Sequence, residues 1–304
     1  MLNIQEKLTL LQKISGKTQT KLALDFGVSF VGFNNWWTGK SKPRKSAETK
    51  INKMLAFYGV KNIKTDSLLE TKMKIILSYS RNKKNVLKKI ISRIDLVDEL
   101  SLRITYNSNA IEGSSLSAED TAKIIFDKQT LRNKTLTEQL EATNHDKAFR
   151  YLLNYLYSGL SVNENLVKEL HRILMAGIRD DAGTYRSHGV RIVGSFVPTA
   201  NYLKISVLMK ELFVRKASKD IIDFVSKFHA DFEKIHPFSD GNGRVGRLIL
   251  VAILLSYNIA PAIITTKEKR GYYKALQKAQ LEGIYEPLQE FIYNAILNGY
   301  QIIF

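Results

Sequence analysis

Apolar residues recur along most of this chain at the three- or four-residue step of a helix lying against a core. The clearest case is Ile221, Val225, Phe228, Phe232 and Ile235, which form one stripe. The same pattern predicts short helices over residues 6–15, 18–26 and 46–58. Gly27-Val28-Ser29 reads as a turn into a further helix, which Gly39 and Pro43 end. Residues 66–111 read mostly as helix with lysine-rich outer faces, and Leu136–Tyr157 and Asn163–Ala176 as two more amphipathic helices. Leu248–Tyr257 is apolar on all sides and predicts a helix through the centre of the core. Residues 268–281 and 286–298 close the chain as helices. One run breaks the helical period. Gly189-Val190-Arg191-Ile192-Val193-Gly194-Ser195-Phe196-Val197-Pro198 is β-branched and bounded by turn formers, which predicts a β-hairpin. The fold class is therefore mainly α with one hairpin.

The 304 residues suggest two domains, and 44% hydrophobic with 25% charged residues is the composition of a packed globular chain. The longest unbroken apolar stretch, Leu248–Leu255, is far shorter than the roughly 18 residues of a membrane span. The first twenty residues lack the order of a signal peptide. The absence of cysteine excludes disulfides, thiolate metal sites and cysteine nucleophiles. A cytoplasmic setting without membrane attachment is expected.

Charge adds a partner. Lys plus Arg is 46 against 29 Asp plus Glu, a net of +17, of which residues 1–65 carry +9 from twelve basic and three acidic residues. Such concentration suits a polyanion. Within it, Gln19, Leu22-Ala23, Gly27-Val28-Ser29, Trp36 and Gly39-Lys40 with Pro43 resemble the helix-turn-helix of the Cro/C1 repressor class. That resemblance implies DNA contact through residues 1–65, with Ser29, Phe30, Gly32, Asn34 and Asn35 as recognition positions. Only the two asparagines can make bidentate base contacts. The alternative is a docking or dimerisation module.

The chemistry concentrates in His236-Pro-Phe-Ser-Asp-Gly-Asn-Gly-Arg-Val-Gly-Arg247, a loop that leads onto the apolar core helix. Unpaired N–H groups and the dipole at a helix N-terminus attract an anion. Gly241 and Gly243 let the backbone approach phosphate oxygens. Arg244 and Arg247, three apart, can face one phosphate chain. Asp240 is suited to Mg²⁺ bridging phosphates. His236 at the loop entrance can take a proton from an attacking hydroxyl.

These twelve residues match the signature of the Fic-domain family, His-x-Phe-x-Asp/Glu-Gly-Asn-Gly-Arg-x-x-Arg. Ala182-Gly183-Thr184-Tyr185-Arg186, Val190-Arg191-Ile192 and Pro198 resemble its flap, and Gly271-Tyr272-Tyr273-Lys274-Ala275-Leu276 its adenine-side helix. The resemblance spans about residues 138–298. It implies a helical core with one β-hairpin flap that transfers AMP from ATP, with Mg²⁺, to a protein hydroxyl. By position His236 is then the general base and Asp240 the metal ligand. Gly241, Asn242 and Gly243 line the anion hole, and Arg244 holds the phosphates. Tyr273 and Leu276 border the base. Gln280 stands where relatives carry Asn, which loosens the nucleotide choice. Val190, Arg191, Ile192 and Val193 of the flap would hold the protein substrate by backbone pairing.

Ser108-Asn-Ala-Ile-Glu112-Gly113 resembles the family's inhibitory motif, placed before the core as in class II members. A helix ending at Gly113 can present Glu112 to an arginine of the phosphate site. In relatives that arginine is the second one, here Arg247. The resulting reading is an autoinhibited protein adenylyltransferase, divided into a helix-turn-helix domain (1–65), a linker with the inhibitory helix (66–135) and a Fic catalytic domain (136–304). Its target is a Ser, Thr or Tyr hydroxyl, on another protein or on itself. The rivals are removal of AMP and a nucleotide-sensing DNA-binding regulator.

Overall fold

The computed structural model describes residues 2–15, 17–57, 76, 85–192, 194–215 and 220–304. The chain divides into two compact units, residues 1–84 and 85–303.

In the first unit, α1 (Ile4–Ser15) packs on α3 (Phe30–Trp37) and α4 (Lys45–Phe57), and α2 (Gln19–Phe26) packs on α3 and α4. Thr18 caps α2, its side chain accepting from the Lys21 amide. Gly27 ends α2 in the left-handed region (φ 71), where a Cβ would be strained, and Val28 N–H closes back onto Ala23 O at 3.0 Å. Ser29 then caps α3 by accepting from Gly32 N–H at 3.2 Å. Leu8, Leu11, Leu22, Phe33, Ile51 and Leu55 are fully buried, and Phe26 stacks on Phe33. Each such side chain contributes roughly 1.5–3 kcal/mol by leaving water.

The second unit is organised around α12 (Asn242–Ser256). Every residue from Leu248 to Leu255 is buried, because helices cover α12 on several sides. These are α6 (Ile94–Glu112), α8 (Leu136–Tyr157), α9 (Glu164–Leu174) and α11 (Ile221–Ile235). Between these lie α5 (Val86–Ile91), α7 (Ala118–Ile125) and α10 (Ile205–Val214), while α13 (Lys269–Glu282) and α14 (Glu286–Ile303) pack on α11. Gly246 lets α11 and α12 approach closely: a Cβ there would meet Glu233 Oε1 at 2.3 Å and a Phe232 ring atom at 3.1 Å. No helix among the described residues is long and apolar enough to cross a membrane.

Two expectations change. The helix predicted over 66–111 is, among the described residues past 84, two helices parted at Ser92-Arg93; most of its earlier half lies outside them. The β-hairpin is not formed: the described residues of 189–198 include no strand. Side chains take the groups a ladder would need. Thr199 Oγ1 donates to Val190 O at 2.7 Å, and Ser195 Oγ accepts the Val197 amide at 3.1 Å. An isolated two-stranded ribbon is in any case only marginally stable. Val193 lies outside the described residues.

Candidate active site

The loop between α11 and α12 closes on itself. His236 ends α11 in the left-handed region, at φ 52, unusual for a residue with a Cβ. Asn242 then staples the loop: Phe238 N–H donates to its Oδ1 and its Nδ2 donates to Phe238 O, both at 2.8 Å. The Asn242 amide thus shapes the loop rather than facing outward. Gly241, at φ 77, caps α12, and a Cβ there would fall 2.1 Å from Met175.

The imidazole of His236 is set by its neighbours. Nδ1 lies 3.2 Å from Glu233 O, which can only accept, so Nδ1 carries the proton and Nε2 keeps a lone pair. Burial pushes its pKa below the ordinary value, against the pull of that carbonyl. Neutral imidazole therefore prevails at neutral pH, as a general base requires. An activity limited by His236 should show an acid limb in kcat/KM below the ordinary 6.5 of histidine, flat above it. A limb at or above 6.5 would assign the limiting proton elsewhere.

Arg244 and Arg247 both point inward and are buried. Arg244 Nη1 donates to Glu141 at 2.6 Å and lies within 3.6 Å of Asp240 through Nη2. Arg247 donates to Ser108 Oγ and Ser108 O, each at 2.9 Å, and pairs with Glu112 Oε1 at 2.7 Å. Its Nη1 is buried without a partner among the described residues. Gly113, at φ 108, ends α6 directly after Glu112. A carboxylate at a helix C-terminus meets an unfavourable dipole, so its position there depends on Arg247. Glu112 also bears on the glycine loop. A Cβ on Gly243 would sit 2.3 Å from Glu112 Oε1, so the carboxylate fills the approach that this glycine leaves open.

Asp240 is the exposed carboxylate of the site, its side chain 56% accessible. Its Oδ1 accepts the Gly241 amide at 2.6 Å. The described residues contain no group of three or more His, Cys, Asp or Glu able to hold a metal. One outward carboxylate nevertheless suits Mg²⁺, which takes one or two protein oxygens and completes its shell with phosphate and water.

Tyr273, 37% exposed, sits beside the Glu112–Arg247 pair: burial and then the Glu112 charge push its hydroxyl up to about 12. Leu276 is buried one turn on. Gln280 Nε2 donates to Ala230 O at 3.0 Å and ties α13 to α11. In the flap segment Arg191 is exposed, and Val190 and Ile192 are half-buried.

Several supporting groups carry no motif of their own. Arg186 is 3% exposed and donates to His236 O at 2.7 Å, His188 O at 2.6 Å and Ala200 O at 2.6 Å. It ties the two ends of the flap segment to His236. His171 accepts the Gly183 amide at Nδ1, so its Nε2–H donates to Asp240 O at 3.1 Å. Burial holds it neutral, down to about 4, and it stacks on Phe238. Glu233 is buried beside Gly246, and burial pushes it up to about 8. Folded Glu233 thus keeps a proton that the unfolded chain loses near 4.5, and the stability it adds below that pH fades as pH rises toward 8. Glu233→Gln keeps the neutral shape. Its melting temperature should match the wild type near pH 5 and exceed it near pH 8. An equal difference at both pH values would contradict the buried proton.

Residues 161–254 match the Fic/DOC family. The protein adenylyltransferase Fic of Nematostella vectensis is 29% identical over 201 residues, which cover 64% of this chain and 47% of that protein. The counterpart of Drosophila virilis is 27% identical over 191 residues, 62% of this chain and 39% of its own. The chain thus spans half or less of these relatives' length. Among solved structures, Fic-1 from C. elegans superposes with a TM-score of 0.66 at 18% identity, covering 95% of this chain and 85% of that one. A Fic family protein from Desulfovibrio desulfuricans gives 0.64 at 25% identity, covering 79% and 75%. The likeness to Fic-1 establishes the fold alone.

Proposed function

We infer that this chain, which carries a Fic domain, is a protein adenylyltransferase held back by its own α6. His236 Nε2 takes the proton of a Ser, Thr or Tyr hydroxyl as that oxygen attacks the α-phosphorus of ATP. The bond to the bridging oxygen breaks and pyrophosphate leaves. The amides at the start of α12, with Gly241 and Gly243, cradle the phosphates, and Arg244 adds charge. Asp240 would hold the Mg²⁺ that neutralises the phosphate oxygens when bound. Tyr273 and Leu276 would border the adenine. The backbone at 190–192 would pair with the protein substrate. The reading places the reaction in the cytoplasm.

The observation that carries this reading is the seat of Glu112. Its carboxylate occupies the space above Gly243 and pairs with Arg247 at 2.7 Å. ATP bound to this state would meet Glu112 where its terminal phosphate must go. Label position tests the reaction. A Glu112→Gly variant given ATP labelled at the α-phosphate should label protein, whereas ATP labelled at the γ-phosphate should not. Transfer of γ-label alone would make the enzyme a kinase.

A second role, DNA binding by residues 1–65, is favoured by the capped α2–turn–α3 pair and the charge gathered there. In that reading residues 66–135 link the module to the catalytic part at 136–304 and carry the brake.

A further inference from the structure

The outward face of α3 is unusual for its chemistry. Phe33 and Trp36 turn into the first unit's core. Val31, Asn34, Asn35 and Thr38 follow at the three- and four-residue steps that share the opposite face. Val31 is 69% exposed, and Phe30, at the entry of the helix, 48%. Thr38 is tied to the helix by its own Oγ1, which donates to Asn34 O. The side-chain amides of Asn34 and Asn35 make no hydrogen bond among the described residues and stand half-exposed.

Cations flank α3 along the chain. Lys21, Lys40, Lys42, Arg44 and Lys45 are exposed, and none is paired with a carboxylate among the described residues. Of the three acids in residues 1–65, Asp25 pairs with Lys17 at 2.7 Å, Glu48 pairs with Lys7 at 3.3 Å, and Glu6 accepts the Asn3 amide at 2.8 Å. The face therefore offers two free amides and two exposed apolar side chains, and exposed positive charge flanks it in the chain.

We propose that this face reads A·T-rich double-stranded DNA in the major groove, with Asn34 and Asn35 on adenine and Phe30 and Val31 on thymine methyl groups. The proposal rests on the DNA-binding reading of residues 1–65 and adds the class of base sequence. The chemistry selects the base pair. A carboxamide matches the acceptor N7 and donor N6 of adenine, and the thymine methyl is the one apolar group on the major-groove edge. Guanine's two acceptors call instead for Arg or Lys, and α3 contains neither. The cations outside α3 would hold phosphates and set affinity without choosing sequence.

The test is fluorescence anisotropy of the full-length chain on labelled duplexes of equal length, one A·T-rich, one G·C-rich, and one A·T-rich with every thymine replaced by uracil. The A·T-rich duplex should bind about tenfold tighter than the G·C-rich one. Uracil, which lacks the methyl, should weaken binding several-fold. Phe30→Ser/Val31→Ser should abolish the thymine–uracil difference, and Asn34→Ala/Asn35→Ala should bring the A·T to G·C ratio toward one. Lys40→Ala/Lys42→Ala should weaken all duplexes alike and flatten the salt dependence. Equal, salt-sensitive binding to all three wild-type duplexes would overturn the base reading and leave the module a DNA binder. No binding to any duplex would overturn both. Self-association of the chain in sedimentation, lost in Phe30→Ser/Val31→Ser and without DNA binding, would assign the face to protein contact instead.

Discussion

His236→Ala is expected to lower transfer by about 10²–10⁴-fold, the usual worth of a general base, while ATP binding stays within a few fold. The two effects separate because the proposed mechanism assigns the hydroxyl and the phosphates to different residues. The Nε2 lone pair of His236 is left free by the Nδ1 contact to Glu233 O at 3.2 Å. The proposed phosphate cradle is the start of α12, shaped by Asn242, whose two bonds to Phe238 do not involve the His236 side chain. Turnover measured on the Glu112→Gly background, alongside nucleotide affinity by calorimetry, checks both halves. Unchanged turnover would remove His236 from the chemistry.

Glu112→Gly should raise modification by roughly ten- to a hundredfold. A charge-assisted pair such as Glu112–Arg247 is worth about 1.5–3 kcal/mol, and its loss shifts the competent population by that factor. The substitution also clears the space above Gly243, which Glu112 Oε1 now fills. Arg247→Ala breaks the same pair but should not activate. It removes the proposed phosphate ligand together with the proposed brake's anchor, and it strips Ser108 of two bonds at 2.9 Å that hold α6 to α12. The double substitution should behave like Arg247→Ala. Initial rates of AMP incorporation across the four proteins check the ordering.

Helical periodicity and the dense motif made much of this legible in advance. The stripe from Ile221 to Ile235 is the inner face of α11, and the apolar run from Leu248 is buried on all sides, although α12 begins earlier, at Asn242. The Ser108–Gly113 segment ends a helix as its glycine suggested. The short helix α7 carries a local signal of its own, because Ser117 and Asp120 form a capping box whose spacing is visible in the chain. The hairpin expectation fails because β-branched composition says nothing of which partner takes the backbone groups, and here Thr199 and Ser195 each take one. Arg186, Glu141 and Glu233 could not be assigned roles, because each acts on a residue brought near only by folding. Gln280 is similar: its place in a family pattern does not show that its Nε2 ties α13 to α11.

The most direct measurement is incorporation of α-phosphate-labelled adenylate into protein by wild type, Glu112→Gly and Glu112→Gly/His236→Ala at the same ATP concentration. The account predicts faint labelling by wild type, at least tenfold more by Glu112→Gly, and a return to background when His236 is also lost. Equal labelling by wild type and Glu112→Gly, or full labelling by the double variant, would contradict it.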